Sequence, residues 1–430
     1  MNTSKLEASI GLSRKWDARE AGREVVESAI KNLNRPPNFF VLFSTIHYEK
    51  HGGFQELLNG VFDILPHNTP LIGGTVSGFS NNYGVYARGA TALAVSYPHM
   101  DVAIGYGKNT KRNPKKAARQ CAKMIKESLK DSKYENKFLL NLISGSILPD
   151  IPFIGRKKVI KSKIFTTVLL KLFGFSEYLF QKGYGRDDEV VEEMIKQLPE
   201  FKMLSGGTID DGSAIENYQF FNKNLLTNSI VTLGLSTDYQ LDVRTTHNMK
   251  KTDITFNITK SSRDGRIIYK INNRPAVTEF LNILDWHDSF LTEDNWFNVN
   301  YYFPLGFPVN NEKDFGPRLL GAIYGESFIT LIRSKEPLAP LLTIDGESIL
   351  KAIDINLESY PKPPEFGLIS SCSTRLETLE GEVYKSRERI EKFFNGKPYI
   401  KFYVGGESTY SPDKGLHYAN MSFNTAIFWK

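Results

Sequence analysis

Pairs of glycines that follow apolar strand residues occur at three places in this 430-residue sequence. They lie in Leu71-Ile72-Gly73-Gly74-Thr75, Leu204-Ser205-Gly206-Gly207-Thr208 and Phe402-Tyr403-Val404-Gly405-Gly406-Glu407-Ser408. Glycine adopts backbone conformations that other residues avoid, and it lets the chain approach a neighbouring group closely. A strand that ends in this way offers free N–H groups and a hydroxyl to a small polar ligand. We therefore predict a shared pocket shaped by Gly73, Gly74, Thr75, Gly206, Gly207, Thr208 and Gly406.

A cysteine stands at the end of another predicted strand, in Ser371-Cys372-Ser373-Thr374-Arg375. A cation close to a thiol lowers its pKa and makes it more reactive, so Arg375 would activate Cys372. The sequence assigns no histidine as a base for it. Nucleophilic catalysis by Cys372 therefore stands as an alternative to a small buried apolar side chain.

Arg375 and Glu407 together suggest recognition of a zwitterion. A guanidinium holds a carboxylate through two parallel hydrogen bonds, and a glutamate would take an ammonium group. The alternative is that Arg375 and Glu407 pair with each other. Asn420 lies two residues before Ser422, on the same face of the last strand, and is either a ligand group or a turn-capping residue.

Several other chemistries lack their sequence motifs here. The chain contains no GxxxxGK[ST] phosphate loop, no GxSxG nucleophile elbow and no HExxH zinc motif. His47 and His51 have a spacing that would bind a metal on a helix, but Gly52-Gly53 follow at once, so we expect no metal site there.

Composition describes a folded globular protein of two or three domains. The chain is 41% hydrophobic and 24% charged, and its net charge of +6 does not by itself indicate nucleic-acid binding. Its two cysteines, Cys121 and Cys372, form no CxxC motif, which favours a reducing cytoplasm over a disulfide scaffold. No signal peptide and no apolar run of roughly 18 residues is evident.

The pattern of apolar residues predicts an α+β, or mixed α/β, fold. Helices are expected over 15–34, 54–65, 113–129, 275–284, 345–356 and 375–394. Strands are expected over 39–43, 90–96, 102–106, 138–143, 218–221, 230–235, 254–260, 267–271, 328–332, 367–371, 399–404 and 422–429, with an aromatic loop over 288–302. Because strands and helices mix without strict alternation, we expect two halves, each with mixed β-sheets covered by helices.

Residues 151–186 differ from their surroundings. Arg156, Lys157, Lys158, Lys161 and Lys163 precede an apolar stretch. The helical face predicted within it consists of Phe165, Val168, Leu169, Leu172 and Leu179. A basic amphipathic helix either lies on an anionic membrane surface or packs on the domain with a solvated basic flank. We favour the second interpretation.

With these residues laid out, the sequence resembles the FIST family of intracellular sensory domains, in both its N-terminal and its C-terminal part. The N-terminal likeness rests on Phe39 to Phe43, 70–78, 204–211 and the strand pair around Tyr218 to Leu235. The C-terminal likeness rests on 269–276, 303–306, 371–375, 405–407 and 420–422. The ordered set covers roughly residues 36–430.

The resemblance implies a cytoplasmic sensor that passes a signal to an output module. It divides the chain into a helical lead over 1–35, a FIST N-terminal-like domain over 36–240 with the insertion 151–186, and a FIST C-terminal-like domain over 241–430. Some family members bind haem and others carry an F-box. This chain shows no kinase, cyclase, receptor or F-box region, so its output partner is expected to be a separate protein.

We therefore expect a stand-alone, non-enzymatic sensor that binds an amino acid or related metabolite between its halves, without a cofactor. Three alternatives stay open. They are a haem-binding gas sensor, for which His417 and Cys372 are the candidate axial ligands, a scaffold that docks on a membrane or a partner through 151–186, and an enzyme that uses Cys372 as its nucleophile.

Overall fold

Three β-sheets with helices on their outer faces make up the protein. The computed structural model describes residues 5–151, 154–162, 166–309 and 314–430. About 38% of the chain is strand, and the mixed α/β class expected from the sequence is confirmed. None of the helices in these ranges combines the length and apolar character needed to span a membrane.

The strands of the first part of the chain are mostly short and apolar. In chain order they are β1 (Glu7–Ser13), β2 (Phe39–Ser44), β3 (Leu71–Thr75), β4 (Gly78–Asn81), β5 (Gly84–Tyr86), β6 (Ala90–Ser96), β7 (Met100–Lys108), β8 (Asn136–Ser144), β9 (Val159–Ile160), β10 (Lys202–Thr208), β11 (Gln219–Phe221), β12 (Asn224–Leu226) and β13 (Ser229–Thr237).

The strands of the second part continue the count. They are β14 (Gln240–Thr246), β15 (Lys250–Ser261), β16 (Ile267–Ile271), β17 (Arg274–Pro275), β18 (Leu305–Val309), β19 (Asp314–Arg318), β20 (Leu320–Tyr324), β21 (Ser327–Thr330), β22 (Leu338–Thr343), β23 (Phe366–Cys372), β24 (Tyr399–Ser411), β25 (Gly415–Tyr418) and β26 (Phe423–Trp429).

The α-helices are interspersed among these strands. They are α1 (Ala18–Ile30), α2 (Phe54–Ile64), α3 (Pro114–Ser128), α4 (Thr166–Leu179), α5 (Asp187–Gln197), α6 (Ala276–Leu284), α7 (Glu293–Tyr302), α8 (Gly346–Glu358), α9 (Thr374–Leu379) and α10 (Val383–Phe394).

Two of the sheets pack face to face. A six-stranded sheet has the order β1-β6-β2-β3-β11-β12, and an eleven-stranded sheet contains β14-β26-β23-β24-β10-β8-β13-β7 with β4, β5 and β25 beside it. Apolar side chains from both form one core, in which the rings of Phe43 and Phe402 stack at 4.2 Å. The eleven-stranded sheet takes strands from both sides of the boundary expected at residue 240, so the two parts of the chain share a core.

Helices cover the outer faces of this sandwich. Helices α1 and α2 pack on the six-stranded sheet, α3 and α5 on one part of the larger sheet, and α8, α9 and α10 on another part. Each such face is an alternating apolar strand surface that would otherwise be exposed to water.

The third sheet joins the insertion 151–186 to the second half of the chain. Its order is β19-β18-β22-β15-β16-β21-β20-β9, with β17 beside β16. Strand β9 belongs to the insertion and pairs in parallel with β20. The insertion is therefore built into the fold, and helix α5, which follows it, starts at Asp187.

Some elements differ from those expected. The lead over 1–35 holds strand β1 as well as a helix, since Leu6, Ala8, Ile10 and Leu12 alternate toward the core, a period-two signal. The loop expected over 288–302 contains α7, which Thr292 caps by accepting a hydrogen bond from the Asn295 N–H. The helix expected over 375–394 is divided into α9 and α10 where Glu380 takes a positive φ of 43°.

Candidate functional site

The three glycine segments meet where β3, β10 and β24 come together. Gly207 lies opposite Gly405 in the β10–β24 pair, where the register shifts between Ser205 and Gly207. A Cβ on Gly74 would lie 2.5 Å from the Thr208 Cγ2 atom, so no larger residue fits between these strands. The segments thus share one neighbourhood.

Strands β3 and β10 end at Thr75 and Thr208, directly after their glycine pairs, as expected, but the glycines pair with neighbouring strands and are not free. Gly73 and Gly74 lie within β3, which pairs on both sides, and Gly206 and Gly207 lie within β10 between β8 and β24. Strand β24 continues through its glycines to Ser411. Their main role is close strand packing, because a Cβ on Gly73 would lie 1.9 Å from the Leu42 carbonyl oxygen.

The threonine hydroxyls expected to face a ligand belong to buried hydrogen-bond networks. Thr75 accepts a hydrogen bond from the Tyr218 N–H at 3.0 Å. Thr208 donates to the Asn217 Oδ1 atom at 3.1 Å and accepts from the Gln219 side-chain amide at 2.7 Å. We call Lys111, Ser144, Thr208, Asn217 and Gln219 the N-terminal polar cluster.

A cavity of about 140 Å³ lies beside the glycine segments, between the two parts of the chain. For comparison, a dry engineered cavity of about 150 Å³ accommodates benzene. The first part of the chain lines it with Gly145, Ser146, Lys158, Tyr184, Asp187, Asp210 and Ala214. The second part lines it with Tyr301, Cys372, Thr374, Glu377, Gly405, Gly406, Tyr418 and Asn420. We call it the Cys372 cavity.

Asp187 is the acid of this cavity with the most defined surroundings. It lies in the first turn of α5, and the Tyr418 hydroxyl donates a hydrogen bond to its Oδ2 atom. Burial and the neighbouring Asp188 charge raise the pKa of Asp187 to about 6. Gly406, at a φ of 59°, makes room for the pair, since a Cβ there would lie 1.8 Å from the same Oδ2 atom.

Cys372 lines the cavity, and Glu407 lies beside it, outside the cavity lining. Glu407 is fully buried, and neither carboxylate oxygen has a hydrogen-bond partner in the described part of the chain. Burial raises the pKa of Glu407 well above its usual range, and burial together with the Glu407 charge raises the pKa of the Cys372 thiol. The expectation that Arg375 lowers the pKa of this thiol is therefore wrong in direction, because desolvation outweighs the guanidinium.

Arg375 does not face the cavity. Its side chain is buried and donates to the backbone carbonyls of Met421 at 3.2 Å and Ile349 at 2.5 Å. Burial lowers its pKa to about 10. Among the described residues no ion pair joins it to Glu407, so neither the ligand role nor the pairing expected from the sequence is present; the guanidinium ties α8 to the chain before β26.

Lys158 and Glu377 add charges to the cavity. The Lys158 ammonium donates to the Gly212 carbonyl at 3.3 Å, and burial lowers its pKa while Glu293, Asp210 and Glu377 oppose the shift. Burial raises the pKa of Glu377. Sequence reasoning missed Asp187, Tyr418, Lys158 and Glu377, because they belong to segments that only the fold brings to the glycine strands.

Asn420 reaches the cavity wall as a structural group. Its Oδ1 atom accepts a hydrogen bond from the Leu319 N–H at 3.0 Å, which holds the third sheet against the second. His417 lines a different pocket, of about 270 Å³, and burial lowers its pKa to about 4. Cys372 and His417 therefore do not share a cavity that would hold a haem.

His47 and His51 lie at a 3₁₀ helix, 46–50, with ring centroids 6.1 Å apart. Burial and the Arg88 charge lower the pKa of His47 to about 4. Over the ranges that the structure describes, no group of three or more His, Cys, Asp or Glu residues is arranged to hold a metal ion.

Comparison with known proteins identifies the family. A model of the FIST N domain matches residues 38–274, more than half of the chain. The chain belongs to the FIST family. FIST domains are sensory domains, which agrees with a role in signal transduction.

Two further comparisons add no functional information. No curated protein matches the chain. A crystal structure of cyanuric acid hydrolase from A. caulinodans aligns over 99% of both chains at 7% identity, with a TM-score of 0.35. A TM-score this low supports no inference about this FIST protein.

Proposed function

We propose that this FIST protein is a sensor that binds a small amine-bearing metabolite, an amino acid or a close relative, in the Cys372 cavity. The observation that carries the proposal is a cavity of about 140 Å³ lined from both parts of the chain and rich in acids. We also propose that residues 241–430 form the FIST C-terminal-like part, that the protein is cytoplasmic, and that it passes its signal to a separate output protein.

Charge supports a ligand with an ammonium group. Asp187, Asp210 and Glu377 line the cavity against the single described cation Lys158. Asp210 is already used, since its carboxylate accepts backbone N–H groups of the loop at 212–216. Asp187 is left to pair with an ammonium, and Lys158 is placed to attract a carboxylate.

The position of the cavity supports signalling. Its walls come from the insertion, from the eleven-stranded sheet and from the third sheet, so a ligand would contact elements of both parts at once. A ligand that binds one arrangement of these elements more tightly than another shifts their populations.

A thermal-shift screen of the full chain against amino acids, amines, organic acids, nucleotides and haem tests the proposal. A ligand that binds only the folded state stabilises it by about 2.7 kcal/mol at a hundredfold excess over Kd. We expect amine-bearing compounds to raise the melting temperature of the wild-type protein. The increase should be lost in Asp187→Asn and kept in Asp253→Asn, a control at an exposed position. A shift with haem and a Soret band, or a shift untouched by Asp187→Asn, would refute it.

A second candidate function, peripheral binding to an anionic membrane, is favoured by helix α4. Its side chains Val168, Leu172, Phe175 and Leu179 are each at least 40% exposed and recur at helical spacing. The buried side consists of Leu169, Phe173 and Ser176, so apolar residues occupy both sides of α4, and the single apolar face expected from the sequence is divided between them. Phe165, expected on the same face, lies outside the described residues.

The charge around α4 suits an anionic lipid surface. Lys171 on α4 and Lys161 before it are exposed, while Glu177 is half-buried and burial raises its pKa. We expect co-sedimentation with phosphatidylserine vesicles that Phe175→Glu abolishes and Tyr384→Glu, an exposed aromatic on α10, does not. Equal binding by both variants would exclude α4 as the contact.

A further inference from the structure

A second cleft, of about 410 Å³, adjoins the Cys372 cavity at Tyr418. Five charged side chains line it. They are Asp188, Glu192, Arg318, Arg333 and Lys335. The two sites share Tyr418 and Ile332 in their walls, yet their other polar linings differ.

The acids of this cleft are neutralised by two arginines. Asp188 accepts hydrogen bonds from Arg266 at 2.6 Å and from Arg333 at 2.7 Å, and Glu192 accepts one from Arg333 at 2.7 Å. Arg333 is thus shared by Asp188 and Glu192, and Arg266 is shared by Asp188 and Glu189. The remaining charges of the cleft are those of Arg318 and Lys335.

Arg318 forms no ion pair within the described ranges; Asp188 attracts its charge but is already bound by Arg266 and Arg333. Arg318 is 8% exposed, its Nη1 atom donates to the backbone carbonyls of Tyr418 and Pro317, and its Nε atom has no acceptor. A buried charge without a counter-ion is costly, so such a group marks a place where an anion would be bound. Lys335 is exposed on the same cleft and forms no ion pair among the described residues.

We propose that this cleft binds a phosphate group, free or as a small phosphate ester, between Arg318 and Lys335. Neither Arg318 nor Lys335 forms an ion pair among the described residues, so this pair of cations matches a dianion, and a guanidinium fork suits phosphate oxygens. The site touches the proposed sensor cavity through Tyr418, whose carbonyl accepts from Arg318 and whose hydroxyl donates to Asp187. It is nevertheless independent of what that cavity binds.

Calorimetric titration of the full chain with inorganic phosphate, glycerol phosphate and acetate, at constant ionic strength, tests the site. Phosphate or its ester should bind, with Kd raised about threefold or more in Lys335→Gln and about tenfold or more in Arg318→Gln. Lys351→Gln, an exposed lysine on α8, should bind as wild type does.

Three results would overturn the proposal. They are no binding of either phosphate compound, equal binding by Lys335→Gln and Lys351→Gln, and acetate binding as tightly as phosphate. If Arg318→Gln does not fold, the comparison of the two lysine variants still decides. Binding of glycerol phosphate but not inorganic phosphate would assign the ester as the ligand.

Discussion

The N-terminal polar cluster and the Cys372–Glu407 pair lie on either side of the β10–β24 glycines and are built in opposite ways. In the first, Asn217 Oδ1 accepts hydrogen bonds from Ser144, Thr208 and Gln219 at 3.0–3.1 Å. Lys111, whose pKa burial lowers to about 8, donates to Ser144 at 2.9 Å. In the second, both oxygens of Glu407 lack a partner in the described chain.

The difference separates a scaffold from a site. A fully satisfied buried network rigidifies the strands around it and has nothing left to offer a ligand. A buried carboxyl without partners stores unfavourable free energy next to a cavity, which is characteristic of functional sites. The contrast explains why the hydroxyls of Thr75 and Thr208 position strands, while the groups that remain for chemistry lie around Asp187.

The largest expected effect comes from removing the centre of the satisfied cluster. Asn217→Leu removes the acceptor that three buried donors share and the hydrogen bond from the Asn217 amide to the Ser146 carbonyl, and we expect a loss of about 3–4 kcal/mol in the free energy of unfolding. Urea denaturation measures it. Asn295→Leu, at an exposed position on α7, should change stability by less than about 0.5 kcal/mol. Similar small effects for both would show that the cluster is no scaffold.

Gly406→Ala tests the steric match between the glycine segment and the Asp187–Tyr418 pair. We expect the free energy of unfolding to fall by about 2–3 kcal/mol and ligand binding to be lost, because the added Cβ clashes with Asp187 and the backbone at residue 406 has a left-handed φ. Gly396→Ala has a φ of 79° and no atom within 4 Å of the added Cβ. The Gly396→Ala variant should therefore lose only about 1 kcal/mol of unfolding free energy, the cost of a left-handed backbone at a residue that has a Cβ. Equal losses of stability in the two variants would show that the clash at Gly406 makes no measurable contribution.

Sequence reasoning predicted the fold class, the family and the meeting of the glycine segments. It did not find β1, although Leu6, Ala8, Ile10 and Leu12 alternate, because a helical reading of the lead masked the period of two. It predicted a ligand role for Arg375, because residue type and spacing do not show that the guanidinium donates its hydrogen bonds to two backbone carbonyls. Asp187 and Lys158 could not be found from the sequence, since long-range packing of the insertion brings them to the cavity.

Glu407→Met should have the opposite sign to Asn217→Leu. The pKa of Glu407 is raised in the folded state, so its contribution to stability is full below about pH 4.5 and is lost as pH rises through the folded-state pKa. We expect the variant to be about 1–3 kcal/mol more stable than wild type at pH 8, with a smaller difference at pH 5. Unfolding of both proteins at the two pH values measures this. A variant that is less stable than wild type at pH 8 would mean that the Glu407 carboxylate has stabilising partners in the folded protein.

The central claim is that Asp187 holds the amine of a ligand in the Cys372 cavity, and the pH dependence of binding tests it most directly. For the compound with the largest thermal shift, calorimetric Kd of wild type should be constant above about pH 7 and weaken about tenfold per unit well below pH 6, as Asp187 takes up a proton. Asp187→Asn should bind at least about tenfold more weakly at pH 7.5 and show no such dependence. Binding that is equal in the two proteins, or that strengthens as pH falls, would contradict the account.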